Sequence, residues 1–86
     1  MAAPKQILID TNVLVALVDA RDTWHLRAQA LCEALKASAV ALVYCDTVVN
    51  EAVSVLARRA QEQRRLEQFA GLVDTLLRHV PTEAIV

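Results

Sequence analysis

Two acidic residues follow two short apolar segments, and their placement could support metal-dependent chemistry. Asp10 comes directly after the apolar run at 6–9, and Glu51 lies a few residues after the run at 40–44. Ligands bind beyond the carboxyl ends of strands in open parallel sheets. Carboxylates gathered at such an edge repel one another unless a cation neutralises them, and their oxygens suit Mg²⁺ or Mn²⁺. Asp10 and Glu51 are therefore candidate metal ligands.

Both acids also have a purely structural interpretation. Asp10 belongs to a residue type that caps the first turn of helices. Glu51 could complement the dipole of a helix near its N-terminus. The residue types and positions leave the chemical and the structural interpretation open for each acid.

Hydrophobic periodicity predicts three strands and four helices that position these acids. The predicted strands are at 6–9, 40–44 and from 84 onward, and the predicted helices are at 13–18, from 22 or 23 to about 38, 47–61 and 63–79. Strands that alternate with helices favour an α/β fold with a parallel sheet. Because the strands are continuously apolar, we expect them to be buried on both faces.

Apolar stripes at helical spacing predict which helix faces are buried. The second helix has Trp24, Ala28, Leu31 and Leu35, the third has Val49, Ala52, Val53, Leu56 and Ala60, and the fourth has Leu66, Phe69, Val73, Leu76, Leu77 and Val80.

Several charged residues fall outside these stripes. Asp19 and Asp22 are expected in a solvated turn, and His25 is expected at the surface or in packing. Four arginines, at positions 58, 59, 64 and 65, flank the junction between the third and fourth helices. A solvated corner is the default interpretation of these arginines, and an edge that contacts phosphate is the alternative.

Composition and charge exclude several classes of protein. The chain has 86 residues, of which 56% are hydrophobic and 3% aromatic, which favours one small helix-rich domain over disorder or a β-rich fold. Nine basic and ten acidic residues give a net charge of −1, so bulk charge cannot hold nucleic acid. The first six residues lack the apolar core of a signal peptide, and no apolar run approaches a membrane span. We therefore expect a cytoplasmic protein whose Cys32 and Cys45 are buried and reduced.

The segment Ile-Leu-Ile-Asp-Thr-Asn-Val-Leu at 7–14 resembles the opening of PIN domains, the nuclease fold of VapC-type toxins. The stretch from Trp24 to Leu31 is similar to the second helix of that family. The segment at 46–56 resembles the part of the family that carries its second acidic residue. The resemblance runs along the whole chain in order.

The resemblance implies a fold, an activity and a set of site residues. It implies a three-layer α/β/α fold and an endoribonuclease that uses Mg²⁺ or Mn²⁺ to cleave RNA. Asp10 and Glu51 would hold the metal and act with Thr11, which would position substrate or a metal-bound water. Asn12 would support the loop, and we add Arg58 and Arg59 as candidate supports for the RNA. An antitoxin protein that wraps the nuclease is the implied partner.

The chain departs from the family pattern in its later part. PIN domains carry a third acid, and often a fourth, after the third strand, and their sheet order is 3-2-1-4-5. Residues 1–86 therefore resemble a single partial PIN-like domain, truncated after the start of strand three, with weak or absent activity of its own. Strand one would then be an open apolar edge, which favours pairing with a second copy or another chain.

Three hypotheses follow from these observations. The first is a truncated PIN-type ribonuclease. The second is a non-catalytic PIN-like remnant that self-associates or binds an antitoxin-like partner. The third is an unrelated small α/β domain in which Asp10 and Glu51 are only helix caps.

Overall fold

The fold is mixed α/β and mostly helical, as seen in a computed structural model that describes residues 5–86. Residues 1–4, which belong to the segment expected to lack a signal peptide, lie outside the described residues. The elements are β1 (Lys5–Leu8), α1 (Thr11–Val18), α2 (His25–Ala37), β2 (Val40–Val43), α3 (Asp46–Glu62) and α4 (Phe69–His79), with short 3-10 turns at Leu66–Gln68 and Thr82–Ala84.

Strands β1 and β2 form a short parallel sheet. Lys5 is paired with Val40 and Leu8 with Val43, and the backbone N–H of Ile9 extends the pairing by donating to the Val43 carbonyl at 2.9 Å. The predicted third strand is reduced to a single parallel bridge between Tyr44 and Ile85. β2 therefore lies between β1 and the bridge at Ile85.

Helix α1 is the centre of the core because its residues 13–18 are all apolar. Its residues 14–18 are all buried, and α1 packs against α2, α3 and α4. A helix without a polar face is stable in water only when neighbours surround it. Buried side chains of α1 share one core cluster with Ala52 and Leu56 of α3 and with Leu76 of α4.

The expectation that strand β1 is buried was wrong. All four of its side chains are exposed, including Ile7 at 41% and Leu8 at 58%, and burial begins only at Ile9. The described helices pack around α1 and against β2, so they leave the side chains of β1 open to solvent.

The predicted buried face of α2 was also wrong in part. Trp24 and Leu31 are exposed, whereas Ala28 and Cys32 are buried against Ala16 and Leu17 of α1. Small side chains four residues apart allow the two helices to approach closely, and the larger Trp24 and Leu31 then lie beside the contact.

The predicted continuous helix at 63–79 is broken into a turn, a 3-10 segment and α4. Arg64 has a φ of 54°, and the N–H of Arg65 donates to the Ala60 carbonyl at 2.8 Å. This is a Schellman termination of α3, in which the left-handed position is usually glycine. It turns Arg65 inward, where its side chain is buried.

None of the helices within residues 5–86 combines the length and apolarity that crossing a membrane requires.

Candidate functional site

Asp10 caps the first turn of α1 and remains exposed. Its extended backbone ends the strand segment, and its Oδ1 accepts a hydrogen bond from the N–H of Thr11 at 2.8 Å. Thr11 is buried at 7% exposure, whereas Asn12 is exposed. The capping interpretation of Asp10 is therefore confirmed. Capping engages Oδ1 alone, so a second role for the carboxylate through Oδ2 is chemically compatible.

Glu51 is an exposed residue of α3, and the packing of α3 on α1 determines its level relative to Asp10. Val15 and Val55 line the same cleft, and four residues further along each helix Asp19 meets Arg59. The two helices therefore run side by side in the same direction. Counting back four residues from Val15 and Val55 gives Thr11 and Glu51. Thr11 and Glu51 are thus each one turn N-terminal to a residue that lines the cleft, and neither Asp10 nor Glu51 lines it.

The cleft between α1 and α3 has a volume of about 240 Å³. Its lining residues are Asn12, Val15, Asp22, Trp24, Val55 and Arg59. Two of the predicted site residues, Asn12 of α1 and Arg59 of α3, thus line this cleft.

Asp19, which was expected in a solvated turn, is instead the most tightly bound carboxylate among the described residues. It is 1% exposed and accepts hydrogen bonds from Arg65 at 2.7 and 3.2 Å and from Arg59 at 3.2 Å. Arg59 also donates to Asp22 at 2.8 Å. The expectation of a solvated turn was wrong because the arginines at the helix junction reach this turn and compensate its buried charge.

The balance of burial and hydrogen bonding sets the ionisation of Asp19. Burial by itself would raise the pKa of Asp19, but hydrogen bonds from Arg65, the Arg21 backbone and Arg59 lower it below its ordinary value of 3.8. The pKa of Arg59 is raised because hydrogen bonds from its guanidinium to Asp22 and Asp19 outweigh the opposing effect of burial. Both groups are therefore held in their charged forms at neutral pH.

The four arginines at the junction between α3 and α4 differ in burial. The expectation of a solvated corner therefore holds for only two of them. Arg65 is buried and Arg59 is half-buried, and both are bound to acids. Arg58 and Arg64 are exposed, and within residues 5–86 neither lies within 4 Å of a carboxylate oxygen. Of the two predicted RNA supports, Arg58 is thus not paired with an acid of the described residues, whereas Arg59 already binds Asp19 and Asp22.

His25 is half-buried, and its Nδ1 lies 2.6 Å from the Ala16 carbonyl oxygen. This bond joins the start of α2 to α1, which is a packing role of the kind expected for His25. It occupies one ring nitrogen, so the ring has one nitrogen left for any further contact.

The described residues contain no group of three or more histidine, cysteine, aspartate or glutamate side chains arranged to hold a metal ion. Asp10 and Glu51 are two exposed carboxylates. Mg²⁺ is commonly bound through one or two carboxylates and several waters, so the donor chemistry of this pair fits the ion.

Two features of the site were missed by sequence reasoning. The Asp19–Arg65 pair spans 46 residues of sequence, and nothing in a single sequence joins two such positions. The exposure of Trp24 was missed because its helical spacing matched the core stripe. The only available signal was that Trp24 is preceded by a polar turn and followed closely by Arg27.

No protein-family model, curated protein or solved structure matches this chain. A functional hypothesis therefore rests on the residues, their geometry and the resemblance of the sequence segments described above.

Proposed function

We propose that this chain carries part of the metal site of a PIN-type endoribonuclease that cleaves RNA phosphodiester bonds with Mg²⁺ or Mn²⁺. The observation that carries the proposal is the register of α1 and α3. It supports a placement of Glu51 towards the N-terminal end of α1, where the exposed carboxylate of Asp10 caps the helix. The two acids that the resemblance selects are thus expected at one end of one helix pair.

In this proposal each residue has a separate role. Asp10 and Glu51 hold the metal, Thr11 positions the substrate or a metal-bound water, and Asn12 supports the loop. A bound Mg²⁺ or Mn²⁺ supplies an activated water and stabilises the negative charge that develops on the phosphate. Because the family uses three or four acids, we expect these two to give weak or no cleavage by this chain alone.

The test separates capping from metal binding. Asn caps helices about as well as Asp, so Asp10→Asn removes the charge and preserves the cap. Calorimetric titration with Mn²⁺ should show binding to the wild-type chain, and binding should weaken strongly in Asp10→Asn and in Glu51→Gln. Glu62→Gln is the matched control, because Glu62 is an exposed acid at the opposite end of α3.

Cleavage of a single-stranded RNA oligonucleotide in Mn²⁺ is the second measurement. Any activity should disappear in Asp10→Asn and persist in Glu62→Gln. If Asp10→Asn and Glu51→Gln bind Mn²⁺ as the wild type does, the metal site is wrong and Asp10 is only a cap.

A second candidate function is association without catalysis, and the exposed strand β1 favours it. The Ile9 N–H bonds to β2, so by alternation along the strand the N–H groups of Gln6 and Leu8 point away from β2. Exposed apolar side chains beside unpaired backbone groups promote pairing with another strand. We propose a second copy of this chain as the occupant, with an antitoxin-like protein as the alternative.

Sedimentation over a concentration series tests this second candidate. We expect a dimer that Gln6→Pro and Ile7→Lys both weaken. Proline at position 6 removes an outward N–H and leaves the bonds to β2 intact. A wild-type chain that stays monomeric at high concentration would exclude self-association.

A further inference from the structure

Trp24 is the largest side chain of the molecule and is exposed to an unusual extent. Its side chain is 57% exposed at the start of α2. Tryptophan is usually highly buried, because it has more apolar surface than any other residue. Trp24 also lies at the meeting point of three clefts, which have volumes of about 230, 370 and 240 Å³.

The turn that precedes Trp24 holds it in place. The backbone N–H of Trp24 donates to Oδ1 of Asp22 at 2.8 Å, and Oδ2 of Asp22 accepts from Arg59 of α3 at 2.8 Å. The same turn is closed by a bond from the Asp22 N–H to the Asp19 carbonyl at 2.9 Å. An aromatic ring carried on a fixed turn loses little entropy when a flat ligand stacks on it.

Uncompensated positive charge surrounds the ring. The guanidinium carbon of Arg27 lies 4.9 Å from the centre of the indole, and Arg21 lines the next cleft with Trp24. Within residues 5–86, neither Arg21 nor Arg27 lies within 4 Å of a carboxylate oxygen. The nearby Asp22 is already neutralised by Arg59. The surface around Trp24 therefore combines an aromatic plane with two cations that no carboxylate of the described residues neutralises, one of which, Arg27, lies over the ring.

The clefts beside this surface extend to Asn12, which is close in sequence to the proposed metal ligand Asp10. Asn12 lines two of the clefts that Trp24 also lines, and Asn12 lies two residues after Asp10. A ligand on Trp24 would thus continue towards the end of α1 at which the two acids are expected.

We infer that Trp24 and Arg27 form a stacking subsite for one unpaired base of a single-stranded RNA, with Arg21 and Arg27 contacting the adjoining phosphates. Stacking on an aromatic ring or a guanidinium plane, combined with cations along the backbone, is the common way to bind single strands without sequence preference. A base inside a duplex is stacked on both faces by its neighbours, so the subsite excludes the interior of duplex RNA. The inference rests on the proposed ribonuclease function, since it names the form of RNA which that site would receive.

The sole tryptophan of the chain makes the inference directly measurable. The folded chain is titrated in EDTA with a 12-nucleotide single-stranded RNA and with a duplex of the same sequence. We expect the single strand to quench Trp24 fluorescence and the duplex to leave it unchanged. Quenching by both forms, or by neither, would overturn the subsite.

Variants test the same point with a labelled RNA and fluorescence anisotropy. Trp24→Ala should weaken binding roughly 10- to 100-fold, whereas Trp24→Phe should retain most of it. Arg27→Ala should also lower the dependence of log affinity on log salt by about 0.7. Leu26→Ala is the control, because Leu26 is an adjacent residue that is 76% exposed and lies outside the clefts. Equal affinities of Trp24→Ala and Leu26→Ala would overturn the inference.

These outcomes are independent of the cleavage proposal. Quenching in EDTA without cleavage in Mn²⁺ would support the subsite and reject the nuclease. Cleavage in Mn²⁺ with unchanged RNA affinity of Trp24→Ala would do the opposite. A fluorescence shift that depends on protein concentration without RNA, and that Trp24→Ala abolishes together with a dimer, would assign the surface to a second copy and overturn the inference.

Discussion

Asp19 and Arg65 form a two-point ion pair across 46 residues of sequence, with N–O distances of 2.7 and 3.2 Å. Asp19 ends the central helix α1, and Arg65 follows the termination of α3. The pair therefore joins the helix at the centre of the core to the turn that redirects the chain into α4. Its charges are buried, so each depends on the other for compensation.

Asp19→Ala should destabilise the protein by about 3–5 kcal/mol, because it leaves the buried guanidinium of Arg65 without its partner. Urea unfolding followed by circular dichroism measures the change. Arg78→Ala is the matched control, since its pair with Asp74 is 72% and 68% exposed and should contribute under about 0.5 kcal/mol. Similar losses in the two variants would contradict the structural role of the buried pair.

Acid should weaken the fold through the same carboxylate. Burial raises the pKa of Asp19, but the bonds from Arg65, Arg21 and Arg59 outweigh burial and hold the pKa below 3.8. The unfolded chain then binds more protons than the folded chain between the two values, so stability is present above about pH 3.8 and is lost as pH falls through the folded value. Urea midpoints from pH 5 to 2.5 should fall steeply in the wild type and less in Asp19→Asn.

His79 should give a second pH dependence at a higher range. Burial and the charges of Lys36, Arg78 and His25 lower the pKa of His79 below its usual 6.5. The folded state therefore takes up its proton later than the unfolded state, and stability declines as pH falls from about 6.5 towards the folded value. His79→Gln should remove this decline, which unfolding midpoints at pH 7.5 and 5.5 would show. An unchanged decline in the variant would assign it to another group.

The helices were predictable where one periodic pattern decided the outcome. Helix α3 was expected at 47–61 and covers Asp46–Glu62. This agreement arises because Ala52, Leu56 and Ala60, at helical spacing, form one apolar face that is buried. Helix α1 was expected at 13–18 and begins two residues earlier, at Thr11, directly after the cap residue Asp10. The parallel pairing of β1 with β2 was also predictable, since a helical connection separates the two strands.

The remaining features depend on tertiary contacts that local patterns do not encode. Trp24 and Leu31 match the core spacing of α2, but the closer approach of Ala28 and Cys32 to α1 displaces them to the surface. Asp19 and Arg65 each lie in a local sequence typical of exposed segments. Their burial is favourable only because the two side chains form an ion pair. The levels of Asp10 and Glu51 likewise depend on the register of two helices, which a single sequence does not determine.

Arg64→Gly should stabilise the protein by about 0.5–1 kcal/mol. Arg64 has a φ of 54° at the position of the Schellman termination where glycine carries no steric penalty. Its side chain is exposed, so little packing is lost. Thermal unfolding measures the gain, and Arg58→Gly is the control, because glycine within α3 should lower stability by about 1 kcal/mol. A loss of stability in Arg64→Gly would show that its side chain makes a needed contact.

Arg58 and Arg59 are neighbours on α3, and we expect their alanine variants to differ in stability. Arg59→Ala should cost about 1–2 kcal/mol, because its bonds to Asp22 and Asp19 are lost from a side chain that is 32% exposed. Arg58→Ala should change stability by less than about 0.5 kcal/mol, since Arg58 is exposed.

Binding to a single-stranded RNA then tests Arg58 as a support without the complication of unfolding. If Arg58 contacts a phosphate, Arg58→Ala should weaken binding and reduce the salt dependence of log affinity by about 0.7. Arg59→Ala should be compared below its lowered unfolding temperature. There, a loss of affinity with unchanged salt dependence reports on Trp24 through the Asp22 turn, and a reduced salt dependence reports on a phosphate contact of Arg59 itself. Unchanged RNA affinity and salt dependence in Arg58→Ala would remove Arg58 from the proposed substrate contacts and leave the Trp24 surface as the main site of RNA attachment.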